Sequence, residues 1–347
     1  MSGKAKTAAL AVMIVGAGVF AIALLSGLLY EQSQRARDRE LFPPVGRAVD
    51  IGGRVLNLYC SGTGGPAVIF ESGATWPFYK APKAMFENGS PRPGYSWVRI
   101  QREVAKLTTA CWYDRAGSGW SDLGPYPRDS AAQARDLHAL LNAAGVPPPY
   151  VLVAESSAAL DARVYTSAYP AEVAGLVFVN GVHPDLFEPT RSGKRPRAPQ
   201  FAFHSQDVAA RWFNLVGLYR LGASDRPAAG PAPDGMTDAE WKTIWHLTQA
   251  SKARSALMQD IASCALSMAE ARAAGSVGNR PLIVLSSQNA ELAPEYRGLW
   301  AEQQTELAAL SARGKQVAVE ESSGDLIYRA PGAIIDAARQ VIGGIRN

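Results

Sequence analysis

Ser156 stands in V-A-E-S-S-A-A, where an apolar run meets a helical one. A serine on a sharp turn between a strand and a helix is the setting of a nucleophile elbow. The usual pattern is G-x-S-x-G, because the strained turn has room only for small residues. Here it is A-x-S-x-A, with Ala154 and Ala158 at the small positions. Alanine makes the turn tighter but still feasible, and the pattern alone arises often by chance. A serine nucleophile also needs a base that takes its proton and returns it to the leaving group. The chain has four histidines, at 138, 183, 204 and 246. His138 adjoins Leu137 in a helical pattern and reads as structural. His183 follows an apolar strand, while His204 and His246 fall in a helical region. No two stand at metal-ligand spacing, so no metal is expected. Gly117 to Gly119 lacks the G-x-x-x-x-G-K-[ST] context of a phosphate cradle, and no cofactor is expected.

The elements that must position these residues alternate. Arg47 to Cys60 reads as a hairpin turning at Gly52-Gly53. Short apolar runs follow at Ala67–Glu71, Ala110–Asp114, Tyr150–Ala154, Gly175–Asn180, Pro281–Ser286 and Gln316–Glu320. Nearly continuous apolar runs suit strands covered on both faces. Helical patterns lie between them, at Ser130–Ala144, Leu292–Ala312 and Ala333–Ile342. This rhythm predicts a parallel sheet with helices on both faces. From Pro184 to Gly278 it breaks. That stretch has no strand signal, and Thr237 to Glu240 forms a capping-box pattern. It predicts a helical cap, with Trp241, Trp245 and His246 as candidates to line a substrate site.

Thr7 to Tyr30 is 24 residues without a charge. About 20 apolar residues cross a bilayer. Bulky Leu28-Leu29-Tyr30 stands where a signal peptide would be cleaved, so the run predicts an uncleaved anchor. Residues 1–6 form a tail before it and 31–46 a polar connector after it. The expected arrangement is a single-pass membrane protein with an extracytoplasmic domain. The net charge of 35 − 31 = +4 is too small to argue for nucleic acid. The basic stretch Arg191, Lys194, Arg195, Arg197 reads as a solvated loop. Three cysteines exclude a disulfide miniprotein.

Beyond the anchor the chain resembles the α/β-hydrolase superfamily, most of all bacterial hydrolases with a Y-D-R-x-G-x-G-x-S stretch. Here that stretch is Tyr113 to Ser121. G-R-V-L-N-L-Y-C (Gly53 to Cys60), F-E-S-G (Phe70 to Gly73) and V-N-G-V-H-P (Val179 to Pro184) add to the likeness. The resemblance implies an eight-stranded, mostly parallel sheet built from 47–183 and 279–347, with the cap, 184–278, after the sixth strand. It makes Ser156 the nucleophile and the backbone N–H groups of Ala74 and Ser157 the oxyanion hole. Its strand order brings Cys60 beside Cys111 and permits a disulfide. Cys264 reads as a buried thiol.

The departure lies at the base. Where the family carries histidine before its last helix, this chain has Asp325. The acid position reads Asn289 or Glu291. The triad is therefore degenerate. His183, His204 and His246 are candidates to replace the base. Alternatively, Glu155 and Asp325 bracket Ser156 as an acid–base pair, their pKa values raised by desolvation and mutual repulsion. Three functions stay open, each with a hydrophobic small molecule as ligand. They are acid–base catalysis without an acyl-enzyme (isomerisation, cyclisation, elimination or epoxide opening), orthodox ester or lactone hydrolysis, and binding without turnover.

Overall fold

The computed structural model describes residues 3–74, 92–186, 212–213, 215–221, 230–287, 294–321 and 325–346. Eight strands form one sheet: β1 (Arg47–Asp50), β2 (Val55–Ser61), β3 (Ala67–Glu71), β4 (Ala110–Tyr113), β5 (Tyr150–Glu155), β6 (Val173–Val179), β7 (Leu282–Ser287) and β8 (Gly314–Val319). Their order is β1-β2-β4-β3-β5-β6-β7-β8. β1 and β2 form the hairpin, β2 meets β4 antiparallel, and every later pairing is parallel. At the hairpin turn, Gly52 and Gly53 take φ of 99° and 87°, and both donate their N–H to Asp50 Oδ1.

The helices are α1 (Gly3–Leu41), α2 (Val98–Val104), α3 (Ser130–Ala143), α4 (Ala158–Ala168), α5 (Leu218–Leu221), α6 (Asp238–Gln249), α7 (Ser251–Ala273), α8 (Pro294–Ala308), α9 (Leu326–Arg329) and α10 (Pro331–Arg346). Period-2 alternation divides the sheet side chains between two cores. Ile69, Leu152, Leu176 and Val284 pack with Leu137 and Leu140 of α3 and Tyr165 of α4. Val68, Val153, Val177 and Ile283 pack with Ile100 of α2 and Ile334 and Val341 of α10. Burial on both faces explains why the strands carry apolar runs without alternation.

A third cluster joins the region after β6 to this core. Leu257, Ile261, Cys264 and Met268 of α7 bury against Ala74 and Leu160. Among the described residues between 184 and 278, α5, α6 and α7 are the regular elements, and none is a strand. Thr237 caps α6 through a complete capping box with Glu240. Cys264 is a buried free thiol.

The connecting segment at residues 31–46 is mostly helix. α1 runs unbroken from the apolar stretch to Leu41. Glu31 and Arg35 form an i,i+4 pair at 2.8 Å, and such pairs support a polar helix surface. The segment Ala9–Leu41 is long and apolar enough, by length and composition, to cross a membrane.

Cys60 and Cys111 are directly opposed in the β2–β4 register and joined as a disulfide. The bridge closes a loop with a sequence separation of 51, for which chain entropy predicts about 4 kcal/mol. A Cys60→Ala/Cys111→Ala variant should lose about 2–4 kcal/mol of unfolding free energy in urea titration. An unchanged midpoint would show that the bridge restrains nothing.

Candidate active site

β5 lies in the middle of the sheet, and its carboxyl end is where ligands bind in such folds. There the chain turns sharply at Ser156, whose φ of +55° is rare for any residue with a Cβ. The turn is fixed from several sides. Ser156 N–H donates to Val179 O at 3.0 Å, and Val182 N–H donates to Ser156 O at 2.9 Å. Asn180, also left-handed at +48°, is tied to β7 through Leu285 O and Ser287 N–H.

The loop after β3 closes on this turn. A Cβ at Gly73 would lie 2.3 Å from Glu155 O and 2.6 Å from Ser157 N, so only glycine permits the approach. The close fit lets two serines engage one residue. Ser156 Oγ donates to Ala74 O at 3.1 Å. Ala74 N–H donates to Ser157 Oγ at 2.9 Å. The oxyanion-hole expectation changes accordingly. The Ala74 amide is present at the elbow, but the side chain of Ser157 folds back and takes its hydrogen bond.

The larger difference is a residue that sequence reasoning passed over. Arg92 lies between the two carboxylates. Its Nε is 3.5 Å from Glu155 Oε1 and its Nη1 is 3.1 Å from Asp325 Oδ1. Its guanidinium lies over the Tyr328 ring, 5.2 Å from the centroid. Burial alone would lower the Arg92 pKa, but Asp325 and Glu155 outweigh it and hold the guanidinium charged. Glu155 is pushed up, chiefly by burial, with Arg92 opposing and Asp325 adding to the rise. Glu155 also accepts Gly73 N–H at 3.2 Å, so its carboxylate braces the loop from beneath. Asp325 is more open, with its side chain 34% exposed. It stands at the start of α9, which α2 secures: Arg99 Nη2 donates to Ile327 O and Tyr328 O. Arg92 had no signal in the sequence beyond being one of 35 basic residues.

A buried charge network ties the cap to the loop. Arg115 bonds Ser72 O and pairs with Asp161 of α4 and Asp260 of α7, at 3.4 and 3.3 Å. Tyr113 donates to Glu71, whose carboxyl burial pushes well above the usual range.

The three described histidines have partners other than Ser156. His138 stacks on Tyr169 at 3.9 Å and meets Glu172 at 3.1 Å, a structural setting. His183 is buried, its Nδ1 accepting Asp185 N–H and its Nε2 3.4 Å from Glu306. Its ring is thus engaged toward α8, while the Ser156 hydroxyl has turned to a carbonyl. Burial lowers its pKa to about 4. His246 is not where the cap pattern suggested. It stacks on Phe42 at 4.0 Å and pairs with Asp38 at 3.4 Å, because the extended α1 passes beside α6. Trp241 does approach the site, edge-on to Tyr328 at 5.1 Å. Trp245 is half-buried on the same helix. His204, Asn289, Glu291 and the basic stretch 191–197 lie outside the described residues. Among the described residues no cluster of His, Cys, Asp or Glu has the makings of a metal site.

The model of the Alpha/beta hydrolase family matches residues 85–337, most of the chain. The chain belongs to that family. Among curated relatives, the uncharacterized protein YbdG of Bacillus subtilis is 26% identical over 167 residues, 47% of either chain. An uncharacterized vacuolar membrane protein of Saccharomyces cerevisiae is 32% identical over 111 residues, 31% of this chain and 17% of that one. The matched stretches thus span about half or less of these relatives' length. Solved structures with the same fold include a loop variant of the haloalkane dehalogenase DbeA from Bradyrhizobium elkanii. It has a TM-score of 0.58 and 18% identity, covering 86% of this chain and 96% of that one. An esterase from Thermogutta terrifontis aligns with a TM-score of 0.55 at 17% identity, over 87% and 99%. At such identities the likeness is one of fold.

Two measurements test this geometry. The left-handed turn costs a residue with a Cβ about 1–2 kcal/mol. Ser156→Gly should therefore be more stable than Ser156→Ala by about 1 kcal/mol in denaturant titration, and equal stabilities would argue against strain there. His183 has a folded pKa of about 4 against 6.5 unfolded, so between these values the unfolded chain binds the extra proton. Its contribution is present above pH 6.5 and is lost as pH falls toward 4. His183→Asn, whose Oδ1 can still accept Asp185 N–H, should remove up to about 3 kcal/mol of that acid loss.

Proposed function

We propose that this chain is a membrane-anchored enzyme that works on a hydrophobic small molecule by acid–base chemistry, without an acyl-enzyme on Ser156. The observation that carries the reading is Arg92 pinned between Asp325 and Glu155 beside the elbow. Asp325, the more exposed carboxylate, is the proton acceptor. Arg92 presents a fixed positive charge against which an anion on a substrate oxygen develops. Glu155 positions Arg92 and the Gly73 loop, and the hydroxyls of Ser156 and Ser157 supply hydrogen bonds. Isomerisation, cyclisation, elimination and epoxide opening all fit such a set.

Orthodox hydrolysis has weaker support. The Ser156 hydroxyl donates to a carbonyl, and a guanidinium paired to two carboxylates accepts no proton. A binding role without turnover is the second reading. It is favoured because the N–H and C=O of Ala74 are both taken by the elbow serines. The anchor reading is supported by the apolar run in α1 and by the disulfide, which suits an oxidising, extracytoplasmic side.

The test uses full-length protein and two variants. Each is incubated with a lipid-soluble extract, and the products are followed by mass spectrometry. Product formation should be abolished by Asp325→Asn and only reduced by Ser156→Ala. The reverse order, together with fluorophosphonate labelling that Ser156→Ala removes, would overturn the proposal in favour of serine hydrolysis. A co-purifying ligand that no variant turns over would favour binding.

A further inference from the structure

The cap meets α1 at a defined height. A Cβ on Gly27 would lie 2.8 Å from Val216 O and 2.9 Å from Val216 Cβ, so the glycine lets the helix approach Val216 closely. Gly217, at φ +71°, packs against the side chains of Tyr30 and Glu31. Arg220 then reaches along α1, donating to Glu31 Oε2 and Asp38 Oδ2, each at 2.6 Å. His246 and Phe42 extend the contact toward the domain. From residue 216 to 220 the cap therefore climbs α1 from the apolar run into its polar end.

Height along α1 is height relative to the bilayer. The uncharged run of 24 residues is about 36 Å long as helix, against a hydrocarbon core of about 30 Å. Gly27 lies three residues, about 4.5 Å, inside the Tyr30 end of that run. Val216 N–H bonds Trp212 O, which places Trp212 within about 6 Å of that level. At this level the cap exposes large apolar side chains: Trp212 (53%), Phe213 (44%), Leu215 (46%) and Leu218 (46%). Elsewhere on the domain described here, few large apolar side chains are comparably exposed. Aromatic and leucine side chains clustered at the height of a membrane surface have the composition of an interfacial anchor.

We propose that the cap edge around Trp212, Phe213, Leu215 and Leu218 inserts into the bilayer surface beside α1, making a second membrane contact. The inference rests on the reading of α1 as a membrane span. The domain is then held flat against the lipid, with its cap on the side from which a hydrophobic molecule dissolved in the membrane arrives.

Full-length protein reconstituted in phosphatidylcholine vesicles, with and without brominated acyl chains, tests the contact. The wild type should show bromolipid-quenchable tryptophan emission, and Trp212→Phe should lose a large part of it. Phenylalanine keeps the apolar bulk, so folding and insertion persist, and Leu218→Asp should lower the quenching of Trp212 in an otherwise unchanged chain. Alkaline carbonate extraction of the same vesicles separates the two readings. Protein that stays with the vesicles while wild type and Trp212→Phe are quenched equally overturns the cap contact alone. Protein released by carbonate overturns both. Loss of quenching in an assembly larger than a monomer would also overturn it, by showing that a second copy covers the patch.

Discussion

One guanidinium holds the site together. Arg92, Glu155 and Asp325 come from three distant segments, and each carboxylate alone would face an unfavourable environment. Glu155 is almost wholly buried, where an isolated charge costs several kcal/mol. Its neighbour Asp325 would repel it. With Arg92 between them the set carries one net negative charge in place of two adjacent ones. A buried pair of this kind is weak evidence for stability, but removing one member leaves an uncompensated charge. Glu155 also accepts the Gly73 amide, and Gly73 sets the position of Ala74, on which both elbow serines depend. Disturbing the charge set therefore disturbs the elbow.

The backbone provides the second constraint. Ser156 and Asn180 both occupy left-handed conformations at the same edge of the sheet. Neither is a glycine, so each conformation persists because its surroundings over-determine it. Hydrogen bonds from β6, β7 and the 180–182 turn do this for the two residues together. The elbow geometry of a nucleophile is thus retained at full cost, although the hydroxyl it presents is directed at a carbonyl. A hydroxyl in that position is still a donor aimed across the end of β5, the face where this fold receives ligands.

The strands were legible because each is short, apolar and bounded by turn residues, and burial on both faces imposes that pattern. The elbow was legible for the same reason, lying between a strand and a helix whose signals were both clear. Three features were not. Arg92 has no spacing relation to Glu155 or Asp325 in sequence, and only the fold brings it to them. The bond from Ala74 to Ser157 Oγ depends on a rotamer, which composition does not encode. The continuation of α1 through residues 31–41 shows only as a strongly polar stretch within the connecting segment 31–46. Charge does not prevent a helix, and these residues are mostly good helix formers. The long α1 also bears on His246, since Asp38 on it and Phe42 just after it engage that ring.

Asp325 is defined by its neighbour Arg92. Taken alone, Asp325 looks like an eroded triad, a carboxylate left where a base belonged. Beside Arg92 it has a partner that an imidazole would not have had, because a cation next to a guanidinium is disfavoured while a carboxylate is attracted. An imidazolium must form when a serine triad works, and Arg92 would raise its energy. The arginine and the aspartate are therefore mutually consistent in charge. The same edge of the sheet that serves acyl transfer in a complete triad here holds a fixed cation, an accessible carboxylate and two hydroxyls.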